Sequence, residues 1–143
     1  MRKHRRGYRQ GLTPSDPSRF HLVYLYVIEC DRFVKVGISA NPEKRVKGMA
    51  TDNPFELRLR FRRRVYSFLA GEAEFNAHQQ LAQYHHANEW FTCPSALAHE
   101  AIHVHARDAM RKGMAIWRAE QAELQRKIDA MADSDTQAFS DAQ

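Results

Sequence analysis

Residues 23–45 read VYLYVIECDRFVKVGISANPEKR, and this stretch decides the expected fold. The segment 21–29 is rich in aromatic and β-branched residues, and so is the segment 33–38. Only the turn-like residues 30–32 separate the two segments, which therefore predict an antiparallel β-hairpin. Because side chains alternate along a strand, Tyr24, Tyr26 and Ile28 are expected to share one face of the sheet.

The chain after the hairpin predicts a short helix, a third strand and a second helix. Ser39 or Asn41 can cap the short helix, and Pro42 suits its first turn. Residues 55–68 alternate apolar side chains with arginines, which is typical of a strand with one apolar and one charged face. Residues 70–84 have helical composition. The expected fold is of the mixed α/β class, and within it of the α+β type. It consists of a small three-stranded antiparallel sheet flanked by helices.

Four segments are expected along the chain. Residues 1–19 carry glycines and prolines among charged residues and predict a flexible basic arm. Residues 20–94 form the folded domain, and residues 95–132 form a long helical extension. Residues 133–143 are expected to be a frayed tail. The apolar residues of the extension show no heptad pattern regular enough for a coiled coil, and they favour packing or self-association.

The composition indicates a soluble globular protein, with 43% hydrophobic and 27% charged residues among 143. No apolar run approaches the roughly 18 residues that span a bilayer, and the N-terminus lacks the apolar segment of a secretory signal. Two cysteines, Cys30 and Cys93, are too few for a disulfide framework and indicate reduced thiols. We therefore expect a cytoplasmic protein.

Positive charge is concentrated in the segments 1–9 and 57–64, within a formal net charge of +5. Clustered arginine is typical of proteins that bind a phosphate backbone. Like charges in one row repel unless an anion lies across them, which favours a DNA interface for the second segment. For the first segment a solvated arm is an equal alternative. The expected DNA contacts are Arg58, Arg60, Arg62, Arg64, Lys44 and Lys47.

Several short motifs occur in a characteristic order between residues 22 and 94. They are Tyr24-Leu25-Tyr26, Lys35-Val36-Gly37-Ile38-Ser39, Arg45, Asn53-Pro54, Glu74-Phe75-Asn76-Ala77-His78 and Glu89-Trp90-Phe91. Each motif is weak alone, but together they resemble the core of the GIY-YIG nuclease superfamily. The resemblance is closest to the phage-type branch, in which the second tyrosine is commonly lysine. It implies a protein of a bacterial or phage-infected cell that hydrolyses DNA phosphodiester bonds.

The resemblance also implies a role for each matching residue. Tyr26 aligns with the tyrosine that helps to activate the attacking water, although Tyr24 remains a candidate for that position. Lys35 replaces the second tyrosine and could supply the cation that a phenol needs to act as a base. Arg45 matches the arginine that contacts phosphate, and His78 completes the catalytic set.

Glu74 matches the carboxylate that holds one divalent metal ion in the family. Magnesium takes oxygen ligands and few of them from protein, so a single carboxylate with waters suits it. The expected cofactor is therefore Mg²⁺, with Mn²⁺ as the alternative.

Two departures from the family pattern support a different function. Met49 stands where many members have a histidine, and Lys35 replaces a tyrosine. A DNA-binding accessory protein on the same fold, without catalysis, is therefore the principal alternative to an endonuclease.

A third hypothesis rests on the segment His99-Glu100-Ala101-Ile102-His103, which satisfies the HExxH pattern of zinc peptidases. The extended form is absent, since alanines occupy positions 106 and 109. We therefore expect solvated histidines on a helix. A site formed by His85, His86 and Cys93 near His78 matches no standard zinc framework.

Overall fold

The structure is a computed structural model that describes residues 17–141. Most of the expected basic arm lies outside this range, and Pro17–Phe20 forms a 3-10 turn. The chain divides into two compact units between Arg111 and Lys112. The regular elements are β1 (Leu22–Cys30), β2 (Phe33–Ser39), α1 (Pro42–Ala50), β3 (Leu57–Tyr66), α2 (Ser67–Gln80), β4 (His85–Ala87), β5 (Trp90–Phe91) and α3 (Ser95–Asp141).

The predicted hairpin is confirmed. β1 and β2 pair in antiparallel register from Tyr24↔Ser39 to Cys30↔Phe33. The two-residue turn between them places Asp31 at a positive φ of 55°. Aspartate tolerates this left-handed conformation better than most residues, because its short polar side chain can hydrogen-bond to nearby backbone.

The sheet has five antiparallel strands in the order β3-β1-β2-β5-β4, so the predicted three-stranded sheet is wrong. β5 pairs with the edge of β2 through Val34↔Phe91 and Lys35↔Trp90. The two added strands contain only three and two residues. Strands this short show no alternation of apolar and polar residues, so the sequence gives little sign of them.

The four alternating arginines of β3, Arg58, Arg60, Arg62 and Arg64, do not form one row. The pairing of β1 with β3 contains a register shift between Val27 and Ile28. Directly paired residues in an antiparallel sheet share a face. Arg62 and Arg64 pair with Tyr26 and Tyr24, whereas Arg58 pairs with Glu29 on the opposite face. The expectation of four arginines in register is therefore wrong, because a bulge reverses the alternation.

The hydrophobic core lies on the sheet face opposite the two tyrosines. The strands contribute valine and leucine side chains, and the helices contribute mostly alanines, which let their backbones approach the sheet closely. Its most buried members are Val23, Leu25, Val27, Val36, Val65, Ala70, Ala77, Ala98, Ala101 and Ile102.

Residues 112–141 form the second unit, which consists of the C-terminal part of α3. The helix continues to Asp141, through the segment expected to fray. Its surface carries local polar pairs, such as Arg126 Nε with Glu123 Oε2 at 3.0 Å. Among residues 17–141, no helix is long and apolar enough to cross a membrane.

Candidate active site

Tyr26 lies across the backbone of Gly37 on the neighbouring strand. The two residues are directly paired, and Tyr26 is only 1% exposed. A Cβ atom on Gly37 would lie 2.4 Å from Tyr26 Oη and 2.7 Å from Cζ. A side chain at position 37 would therefore occupy the space of the phenol, and the glycine gives the tyrosine its position.

Helix α1 begins at a well-defined cap beside this tyrosine. Asn41 is the N-cap, and its Oδ1 accepts a hydrogen bond from the Lys44 amide at 3.1 Å. Ser39, the other candidate cap, has Oγ accepting from the Asn41 amide at 3.0 Å. Pro42 lies in the first turn of the helix, as predicted, and is buried there. These contacts set where the first turn lies, and with it Arg45.

Three charged side chains act on the Tyr26 phenol. Burial raises its pKa to about 12, while the charge of Arg45 and its hydrogen bond to the phenol act to lower it. The negative charges of Glu89 and Glu74 raise the pKa further. Tyr24 has a different neighbour, since the Arg62 guanidinium lies 5.3 Å from its ring centroid. Of the two candidate tyrosines, Tyr26 is therefore the one that lies near Arg45 and Glu74.

Helix α2 supplies two buried polar side chains to this region. Glu74 is 3% exposed and His78 is 8% exposed. His78 Nε2 lies 2.8 Å from the carbonyl oxygen of Val36, which can only accept, so this ring nitrogen carries a proton and donates it. The histidine thus links α2 to the strand that carries Gly37. Its proposed catalytic part stays a prediction.

Lys35 and Glu89 form an ion pair at the edge of the site. Lys35 Nζ lies 3.5 Å from Glu89 Oε2, and the lysine side chain is only 12% exposed. The Glu89 carbonyl also accepts a hydrogen bond from the Val36 amide at 3.3 Å. Sequence reasoning gave Lys35 the part of the cation beside the tyrosine. In the structure the charge of Arg45 acts on the Tyr26 phenol, and Lys35 pairs with Glu89; the part of Lys35 stays a prediction.

Glu89 is the site residue that sequence reasoning missed. It was named only within the motif Glu89-Trp90-Phe91 and was given no role. The available signal was an acid directly before two aromatic residues of strand type. Only the pairing of β5 with β2 brings this acid to Lys35 and Tyr26.

The family model of the T5orf172 domain matches residues 22–107. The chain belongs to the T5orf172 domain family. This domain occurs in endonuclease-like proteins of phages and bacteria and is related to GIY-YIG-type nucleases, so a nuclease or DNA-binding role is supported. The match is to this domain and not to a GIY-YIG family as such. No curated protein and no solved structure matches the chain.

The T5orf172 domain contains every candidate site residue, including the basic side chains expected to contact DNA. Three of the β3 arginines meet carboxylates of the same chain. Arg58 Nη2 lies 3.2 Å from Glu56 Oε2, Arg60 Nε lies 3.8 Å from Glu29 Oε2, and Arg62 pairs with Glu43. These acids reduce the repulsion among the arginines, and the DNA contacts of the arginines stay a prediction. Lys44, Lys47 and Arg64 are also exposed.

The HExxH segment of the T5orf172 domain has a packing role. The His99 ring stacks on Phe61 at 3.9 Å between centroids with an interplanar angle of 4°. Its Nε2 lies 3.0 Å from Arg63 Nη2, and since a guanidinium only donates, Nε2 accepts. Burial, the Arg63 charge and His103 lower the pKa of His99.

Metal-binding clusters of the zinc type are absent from residues 17–141, where no group of three His, Cys, Asp or Glu side chains could hold an ion. Cys30 and Cys93 are buried free thiols, and burial raises the pKa of Cys93. The arrangement gives no support to the peptidase hypothesis. It leaves a site of one or two carboxylates, beside a phenol and a guanidinium, as the chemically distinctive feature.

Proposed function

We propose that this T5orf172 domain is a metal-dependent DNA endonuclease whose reaction centre is Tyr26. The observation that carries the proposal is a buried phenol held across Gly37, on which the Arg45 guanidinium and the carboxylates of Glu74 and Glu89 all act. A buried titratable group whose pKa is shifted by burial and by charged neighbours is typical of catalytic sites.

The residue types suit attack on a phosphodiester. The attack places negative charge on the phosphoryl oxygens, which a guanidinium such as Arg45 stabilises through charge-assisted hydrogen bonds. Arg45 also favours the phenolate form of Tyr26, in which the oxygen can accept a proton from the attacking water. The two carboxylates oppose that ionisation, so neutralising either one makes the phenol a stronger acid.

A divalent metal ion fits the donor set of this site. Glu74 offers a buried carboxylate, and Glu89 offers a second carboxylate that acts on the same phenol. Mg²⁺ prefers oxygen ligands and uses one or two protein carboxylates while keeping several waters. Glu74 would hold Mg²⁺ or Mn²⁺, and the bound ion would supply positive charge to the phosphate oxygens.

Basic residues on the sheet face of Tyr24 and Tyr26, and on α1, support binding to the phosphate backbone of DNA. Arg62 and Arg64 share the strand face of Tyr26 and Tyr24, and exposed Lys44 and Lys47 lie on α1. The ion pair of Arg62 with Glu43 is about half exposed on both sides. Exposed ion pairs contribute little to stability, so phosphate can replace the carboxylate. Such contacts position DNA without reading its sequence.

A plasmid assay tests the proposal. Supercoiled DNA is incubated with the wild-type chain in Mg²⁺ or in EDTA, beside the variants Arg45→Ala and Arg32→Ala. Arg32 lies in the exposed hairpin turn and is the matched control. We expect nicking that requires Mg²⁺, is lost in Arg45→Ala and persists in Arg32→Ala. Nicking at equal rates in both variants would remove Arg45 from the site.

A DNA-binding protein without catalysis is the second candidate. The observation that favours it is that Lys35, which replaces the second tyrosine of the family pattern, is held in an ion pair with Glu89. In the same assay this function predicts no nicking under any condition. Binding would instead weaken steeply with added salt, because backbone contacts release counterions.

A further inference from the structure

The second unit exposes a row of large apolar side chains along one side of α3. Between residues 112 and 141 they follow one another at spacings of three, seven, four and three residues. Their exposed fractions range from 37% to 67%, and the residues are Met114, Trp117, Leu124, Ile128 and Met131. Large apolar patches on a soluble protein commonly mark an interaction surface.

These positions form a regular heptad once Gln121 is included. The a positions are Met114, Gln121 and Ile128, and the d positions are Trp117, Leu124 and Met131. The whole extension looked irregular because its N-terminal part serves the first unit. There, Ala98, Ala101 and Ile102 are buried in the core, and they follow a different face.

The other sides of this helix are polar and form local pairs. Arg126 Nε lies 3.0 Å from Glu123 Oε2, and Gln125 Nε2 lies 2.9 Å from Asp129 Oδ1. Such pairs add modest support to an exposed helix. Polar pairs therefore lie beside the apolar stripe, as expected of a helix that pairs with another.

We propose that residues 114–131 pair with the same residues of a second copy of this chain in an antiparallel coiled coil. In the proposed register Met114 faces Met131 of the second copy, Trp117 faces Ile128, and Gln121 faces Leu124. The Trp117 layer then sets the largest side chain of the stripe against a smaller one, and the outer layers pair two flexible methionines, which adapt to each other's shape. At about 1.5 Å per residue the paired segment is roughly 26 Å long.

Charge complementarity selects this register and direction. The positions beside the seam include Glu120 and Lys127, and in the antiparallel register Glu120 faces Lys127 of the second copy. The two-fold symmetry makes this pair occur twice. Opposite charges at such flanking positions choose partner and orientation in coiled coils.

A parallel pair lacks this complementarity. There Glu120 would face Gln125, Lys127 would face Ala132, and the two Trp117 rings would meet in one layer. In the parallel pair the two Gln121 side chains would meet and could form a hydrogen bond. This contact would offset part of the missing charge complementarity. Reversing the charge at position 120 or 127 distinguishes the two helix orientations, because only the antiparallel orientation places residues 120 and 127 opposite each other.

Sedimentation equilibrium of the full chain over a range of concentrations tests the proposal. The samples are wild type, Glu120→Lys, Lys127→Glu, the double exchange, and an equimolar mixture of the two single variants. Asp133→Lys, on the outer face of the helix, is the charge control. Far-ultraviolet circular dichroism of each sample verifies that the helix is retained.

We expect a concentration-dependent wild-type dimer, which each single exchange weakens about tenfold by placing like charges together at two points. The double exchange restores the dimer, and so does the mixture, since its two chains carry complementary charges. Asp133→Lys leaves the dimer unchanged. A wild type that stays monomeric at all concentrations overturns the proposal. A dimer that is indifferent to the single exchanges overturns the register.

Discussion

Replacing Gly37 with alanine tests the position of the central tyrosine. The new Cβ would lie 2.4 Å from Tyr26 Oη and 2.7 Å from Cζ. Non-bonded carbon atoms rest about 3.5–4.0 Å apart, so the methyl group would lie roughly 1 Å inside contact with the ring. Tyr26 is 1% exposed, which leaves the ring little room to move away.

Such overpacking of a filled interior costs about 1–3 kcal/mol of unfolding free energy. Gly48→Ala is the matched control, because no atom lies within 4 Å of the Cβ it would add in α1. Alanine inside a helix is favoured over glycine by roughly 0.5–1 kcal/mol. The same chemical change should therefore destabilise the protein at position 37 and stabilise it at position 48.

Urea unfolding followed by circular dichroism measures both changes. Adding Tyr26→Phe to Gly37→Ala should recover part of the lost unfolding free energy, because it removes the closest atom, Oη. The recovery should be incomplete, because Cζ remains in close contact with the new methyl group. The reasoning is refuted if Gly37→Ala and Gly48→Ala change the unfolding free energy equally. It is equally refuted if Tyr26→Phe gives no relief.

Three further predictions concern titratable groups. Since burial raises the pKa of Tyr26 from 10.0 to about 12, the fold favours the neutral phenol, and unfolding free energy should fall across that pH window more in wild type than in Tyr26→Phe. Because the pKa of His99 is lowered, stability should decline as pH falls below 6.5, and His99→Phe, which can still stack on Phe61, should flatten that decline. Glu89→Gln removes a negative charge, so a spectrophotometric titration should find a lower pKa for Tyr26; an unchanged pKa would place Glu89 too far away to matter.

Sequence reasoning predicts the elements that have a strong local pattern. The aromatic and β-branched segments on either side of Asp31 define the hairpin, and Asn41 with Pro42 defines the start of α1. These features depend on residues close together in the chain. The family resemblance also consists of short local motifs. The T5orf172 match confirms it as far as a domain related to GIY-YIG-type nucleases.

Features that depend on pairing between distant segments could not be predicted in this way. β4 and β5 are too short to show a period, so the sheet was given three strands. The bulge beside Val27 shifts β3 by one residue, and a shift of one moves side chains to the other face. Glu89 joins the site only because β5 pairs with β2, a contact between residues about 55 positions apart.

The most direct test of the endonuclease proposal compares Glu74→Gln with Glu72→Gln, two near-isosteric changes on the same helix. The measurement is the single-turnover rate of plasmid nicking in Mg²⁺, together with the dissociation constant for the same DNA. We predict that Glu74→Gln lowers the rate by at least ~100-fold and leaves DNA binding within a few-fold of wild type, since the carboxylate serves the chemistry. Glu72→Gln should cleave at the wild-type rate. Equal nicking rates for the two variants would contradict the assignment of Glu74. A wild-type protein that does not nick DNA would contradict the endonuclease proposal itself.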